Sequence, residues 1–353
     1  MSKKQEAVTI FNKTENRLPT IRPFLNGDEG KNYGFDDCMA YLMECLNEDA
    51  RLDYWIFTGI SGDGYTMVYN RNHSNYCEYC IAGYTSGQEL VSRVFNAIGY
   101  DYTYVDDKEI NLKKSEYIKK LISYIDKGIP VLARTTLAAT PADVDVRTYL
   151  TYVGYEDDGK TLLFKSDYDN LFCYDTSSTI KQDWIFPGEK IREVPFEKIV
   201  SNAVADLPRL MTLPEKDGQF FGSQAFRAWA DDIEKGRYGE KSDLWSDYGV
   251  YVCNLATNCM ANNSTHAPSV VNLLAQFSPQ YSEMRTKIAN LYFHMGHGDG
   301  VGGAWRKLED LEAGFNVKAE TFQDKERCRK IVAVLRECAD DMDEIVQTLQ
   351  EAL

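Results

Sequence analysis

The most reactive group this chain can offer is the thiol of Cys38, in NYGFDDC directly behind Asp36 and Asp37. A cysteine in a first helical turn gains from unpaired N–H groups and the helix dipole, both of which favour thiolate over thiol. A thiolate so placed is a nucleophile for acyl or peptide chemistry. The two aspartates oppose it, because their charge disfavours a second negative charge on sulfur. Taken alone, Cys38 has two readings, a small buried residue or a nucleophile.

Sulfur catalysis needs a base, and the chain has four histidines. His73, Cys77 and Cys80 in HSNYCEYC offer three soft ligands in one loop, one short of a structural zinc set. No metal is therefore expected there, and the alternative is a loop with buried thiols. His294 and His297 lie in FHMGHGDGVGGAW, a glycine-rich break between helices. It reads either as a binding loop with titrating imidazoles, facing the first domain across a cleft, or as ordinary helix punctuation. His266, just ahead of Pro268, reads as a helix entry. The glycines of residues 59–64 (GISGDG) lack the spacing and lysine of a phosphate loop, so a hairpin turn is expected. Around them Tyr54, Trp55, Phe57, Tyr65 and Tyr69 suit an apolar ligand pocket or, equally, a core.

The elements that must position these groups follow from periodicity. Residues 36–47 place Met39, Leu42, Met43 and Leu46 at helical spacing behind two aspartates able to cap the helix. Residues 54–57 (YWIF) and 65–69 (YTMVY) read as a strand and its returning partner. A helix over 87–98 stops at Gly99 before an aromatic strand over 100–105, and a second helix over 115–126 precedes a strand over 130–134. Residues 147–155 and 161–165 flank EDDG, a hairpin turn. Residues 176–222 are mixed, punctuated by Pro187, Pro195, Pro208 and Pro214. Beyond Ser223 helical patterns run over 225–235, 244–261, 268–277, 281–294, 304–315 and 325–353, the last a long amphipathic helix. The expected fold is α+β: a domain over 1–215 with a mainly antiparallel sheet, then an all-α helical bundle domain over 216–353.

Bulk composition narrows the partners. A length of 353 residues, 44% of them hydrophobic and 12% aromatic, suits two packed interiors. A net charge of −15, from 54 acidic and 39 basic residues, repels nucleic acid and anionic lipid, so neither nucleic acid nor membrane is an expected partner. The lysines of MSKKQEAVTIFNK have no apolar run behind them, as a secretory signal would. No window approaches the roughly 20 apolar residues of a membrane span. Nine cysteines without framework spacing indicate reduced thiols and a cytoplasmic location. No cofactor is indicated. A homodimer contact through Trp245, Tyr248 and Tyr251 is one reading of those residues, and core is the other.

The order of elements, from the Cys38 helix to RTYLTYVGYEDDGKTLLFKSD, resembles the papain and bacteriocin-leader-peptidase superfamily of cysteine peptidases. FTGISGDGYTMVY, GYDYTYVD, GIPVLAR and TYVGYEDDG, with a helical second half, look more narrowly like the butirosin-biosynthesis acyltransferase family. The resemblance implies a papain-like fold with Cys38 as nucleophile, Asn32 six residues earlier in the oxyanion hole, and Asp167 as orienter of a histidine. It places Thr148 where that histidine belongs, and a threonine hydroxyl is no general base at neutral pH. The family's implied activity is transfer of an acyl group from a carrier-protein thioester to an amine. The expectation is thus a divergent papain-like protein without peptidase activity. Its cleft near Cys38 would be lined by Arg147, Thr148, Trp55 and Tyr65, with His294 and His297 in reserve. The cleft would take a small-molecule or acyl substrate, with a carrier protein as the further partner. Acyl transfer stays open, and the alternative is a non-catalytic module that binds a small molecule or a protein.

Overall fold

A computed structural model describes residues 14–24, 31–71, 81, 87–135, 149–166, 170–216, 218–238, 260, 268–296 and 302–353. In chain order its strands are β1 (Asn16–Arg17), β2 (Val68–Asn70), β3 (Tyr100–Val105), β4 (Val131–Thr135), β5 (Tyr149–Glu156), β6 (Thr161–Lys165), β7 (Phe172–Asp175), β8 (Gln182–Lys190) and β9 (Gln219–Phe221). The helices used below are α1 (Gly34–Cys45), α2 (Tyr54–Ser61), α3 (Gly87–Ile98), α4 (Asp107–Leu112), α5 (Lys114–Asp126), α6 (Phe196–Met211), α7 (Ser223–Glu234), α8 (Pro268–Phe277), α9 (Ser282–Met295), α10 (Ala304–Asp310) and α11 (Lys325–Ala352).

The main sheet is antiparallel and seven-stranded, in the order β3-β8-β4-β5-β6-β7, with β1 also paired to β5. Side chains alternate across a strand, so register decides which residues share a face. Arg134 pairs with Tyr149 and with Asp183, while Thr151 pairs with Leu132 and with Lys165. These residues lie on the face covered by α1, where the Phe35 ring meets Tyr149 edge-on at 4.7 Å. Trp184, Phe186 and Tyr152 occupy the other face, against which α5 packs Tyr117 and Tyr124. The fold is α+β with a helical C-terminal region, as the periodicity predicts.

Three local expectations fail, each for a physical reason. Residues 54–57 are not a strand but the start of α2, because Asp53 accepts the N–H groups of Trp55 and Ile56 and so nucleates a helix in an aromatic, strand-prone run. Gly62, at φ +85°, closes that helix in the left-handed conformation. What remains of the returning strand is β2, which pairs with β9. Asp36 and Asp37 do not cap α1; Tyr33 occupies that position without a side-chain bond, and the helix starts early enough that Cys38 is its fifth residue. Finally, the stretch that looks mixed holds α6 and the sheet's interior strand β8. Pro208 inside α6 and Pro187 in β8 disguise both.

The expected boundary at 215/216 falls between α6 and β9. Across it, α8 packs on α2 and α6, and α11 packs on α6; within the second half α11 packs most extensively on α7. The expected helix over 244–261 lies outside the described residues except for Met260. Among the described residues no helix is long and apolar enough to cross a membrane.

Candidate functional site

Helix α1 buries Phe35 through Met43 without a break, and Cys38 is 2% exposed. Burial pushes its thiol up to about 12. The Thr151 hydroxyl beneath it pulls the other way, Asp37 and Asp36 push further up, and Arg22 counters them. A rise from 9.0 to about 12 disfavours the thiolate by roughly 4 kcal/mol. A helix N-terminus supplies about 0.3–2 kcal/mol, so desolvation wins. Cys38 is a protonated thiol at neutral pH.

The two aspartates ahead of it are fully buried and differently resolved. Asp37 is paired with Arg22, Nη2 to Oδ1 at 2.7 Å, and the same guanidinium reaches Glu44 at 3.1 Å. Arg22 also lies over the rings of Phe24 and Tyr41. Asp36 accepts from Ser61 Oγ at 3.2 Å, and Ser61 Oγ in turn accepts the Asp63 N–H at 3.1 Å. Burial, and then the nearby Asp63, hold the Asp36 carboxyl well above the usual carboxylate range, against the pull of Ser61 and Arg93. The core around Asp36 thus favours its neutral, protonated form.

Asn32, which the resemblance assigns to an oxyanion hole, lies just ahead of α1. Here the N–H groups of Asn32 and Tyr33 donate to Tyr54 Oη, at 3.0 and 3.1 Å. Tyr54 itself is buried, so its phenol ties the entry of α1 to α2.

At the sheet end beside α1, β5 and β6 form the hairpin that periodicity predicts. Tyr149, one residue after Thr148, touches Phe35, and β5 and β6 are neighbours in one sheet. Asp183 and Arg134 stand on the same face, with the Tyr104 hydroxyl and the Asp107 N–H both donating to Asp183. Burial raises the Asp183 carboxyl above its usual range. Thr148, Arg147, Asp167 and His297 lie outside the described residues, as do His73, Cys77 and Cys80.

The remaining candidates are not brought to the sulfur. Tyr65 is buried, its hydroxyl accepting the Val271 N–H and its carbonyl accepting the Tyr292 hydroxyl, so it joins α8 and α9 to the first half of the chain. His294 is 47% exposed, with Nδ1 2.6 Å from Asp341 Oδ2 on α11. Trp55 lines a cavity of about 630 Å³, together with Ala40, Glu44, Leu52, Asp53 and Arg22 among others. Cys38 does not line it. At about 100° per residue, Ala40 and Glu44 lie on the far side of α1 from Cys38.

A second cavity, of about 730 Å³, opens between α7 and α11. Neither cavity is legible in the sequence, since each joins side chains from separate elements; the capping of α2 by Asp53 is the one signal for the first. Among the described residues no three His, Cys, Asp or Glu side chains are grouped to hold a metal. The chain matches no known family model and no curated protein.

Proposed function

We propose that this chain is a ligand-binding relative of the papain-like proteins, without thiol catalysis, whose small-molecule site is the cavity on the outer side of α1. The observation that carries this reading is the state of Cys38: 2% exposed, with its thiol pushed up to about 12. Two further features support it. Tyr54 takes up the backbone N–H groups of Asn32, the residue the resemblance assigns to an oxyanion hole, and of Tyr33, and Thr148 stands where the resemblance requires a base. The cavity offers Trp55 and Leu52 as apolar contact, with Arg22, Lys31, Glu44 and Asp53 as charged termini. That suits a compact ligand with an apolar body and a polar or zwitterionic end. Free thiols at Cys38, Cys45, Cys173, Cys328 and Cys338 suit a reducing compartment such as the cytoplasm.

The test is a small-molecule screen by thermal shift on the wild-type chain, Cys38→Ala and Trp55→Ala. A ligand of this site raises Tm in the wild type and in Cys38→Ala, and the rise is lost or much reduced in Trp55→Ala. Turnover of a thioester or peptide that Cys38→Ala abolishes overturns the reading in favour of acyl transfer or hydrolysis.

A further inference from the structure

The second cavity has chemistry of its own. Its floor is Ile233 from α7, Phe322 from the turn ahead of α11, and Val332 from α11, all buried. Its rim is basic: Lys325, Arg329 and Arg336 line the same space, against one acid, Glu234. Lys325, Arg329, Val332 and Arg336 follow one another at steps of four, three and four along α11. At about 100° per residue they form a single stripe roughly 60° wide. An apolar step between cations on one helix face is what an amphiphile of opposite charge needs.

The charges are not consumed by their neighbours. Arg336 is paired with Glu234 at 2.7 Å and Arg329 with Glu326 at 3.0 Å, yet their side chains keep 51% and 76% exposure. Lys325 makes no ion pair among the described residues. Exposed pairs of this kind hold by little, so both arginines can turn to a bound anion. Three cations around one opening stand out in a chain with 54 acidic and 39 basic residues. A Cβ built on Gly236, at the α7 end of the cavity, would meet no heavy atom within 4 Å, so that end is open.

From this we infer that the cavity between α7 and α11 binds a small anionic amphiphile, a carboxylate with an apolar body, its head on Lys325 and Arg329 and its body over Phe322, Ile233 and Val332. This site is separate from the α1 cavity and does not depend on it. At about 730 Å³ it lies within the range of roughly 300–1,000 Å³ typical of small-ligand sites.

Cys328, half-buried in the wall of the cavity, is a built-in reporter. Maleimide labelling of Cys328 in the full-length chain, followed by peptide mass mapping, is measured with octanoate, decanoate, decanol and decyltrimethylammonium. Decanoate slows labelling several-fold where the cation and the alcohol do not. From octanoate to decanoate the apparent Kd falls about 3- to 4-fold per methylene. Lys325→Glu combined with Arg329→Glu, two surface changes, weakens decanoate about tenfold or more while Tm stays within a few degrees. Equal protection by the cation or the alcohol, or no protection by any probe, overturns the inference. So does protection that grows with protein concentration alone, which assigns this face to self-association.

Discussion

Phe35 of α1 meets Tyr149 of β5 edge-on, with ring centroids 4.7 Å apart; one turn on, Cys38 is buried, while Ala40 lines the cavity on the other side of the helix. One helix thus keeps its thiol in the core and lines a cavity with Ala40 and Glu44 on its opposite side. Cys38 should accordingly react as a core residue. With a thiol pushed up to about 12, its alkylation rate in the native protein will be slow and will track global opening. It should rise no faster between pH 6 and 9 than that of buried Cys338. Fast, pH-sensitive labelling of Cys38 in mass-mapped time courses contradicts this.

Asp36 makes stability depend on pH with a defined sign. Its folded value lies above its ordinary 3.8, so between the two the native state holds a proton the unfolded state has released. Stability is therefore greatest below that window and is lost as pH rises through the folded value. Asp36→Asn keeps the shape and removes the titration, so the decline in urea midpoint from pH 5 to pH 8 becomes shallower. The variant at pH 8 should be at least as stable as the wild type. A variant clearly weaker at pH 8 would mean that the carboxylate is charged and needed.

Arg22→Ala leaves Asp37 buried without its cation. Removing one partner of a buried pair costs about 3–5 kcal/mol, and the 24% exposure of Arg22 places this one near the low end. Urea unfolding of Arg22→Ala, Asp37→Asn and the double variant completes a cycle. The double variant should recover much of the loss, because it no longer strands a charge.

Gly59 tests the junction between α2 and α8. Alanine is the better helix former by about 1 kcal/mol. Its Cβ, however, would lie 2.7 Å from Val270 Cγ1 and 2.8 Å from Val270 Cβ. That atom is fixed to the backbone and valine is stiff at χ1, so the overpacking cost of about 1–3 kcal/mol wins. Gly59→Ala lowers Tm, and adding Val270→Ala restores part of it.

Those contacts also show what a linear reading can and cannot reach. The amphipathic stripe of α11, the helix α3 ending at Gly99, and the β5–β6 hairpin around EDDG are encoded within their own residues, and the structure has them where periodicity puts them. Residues 54–57 were open to misreading because an aromatic run fits a strand until Asp53 takes the first N–H groups. Pro187 and Pro208 hid β8 and α6, because tertiary packing there tolerates what local rules forbid. Cys38 was hardest, since its protonation follows from burial, and that burial is supplied by elements far along the chain such as β5, which packs against α1.

The pairing of β2 with β9 has a consequence for any shortened chain. A fragment ending at residue 215 would leave the backbone groups of Val68 and Asn70 without Phe221 and Gln219 opposite them. It would also uncover Gly59 where Val270 now presses and deprive the Tyr65 carbonyl of Tyr292. Such a fragment presents a raw strand edge beside a stripped aromatic surface, the combination that invites clumping. The two halves are better thought of as each other's chaperone than as independent parts joined by a tether.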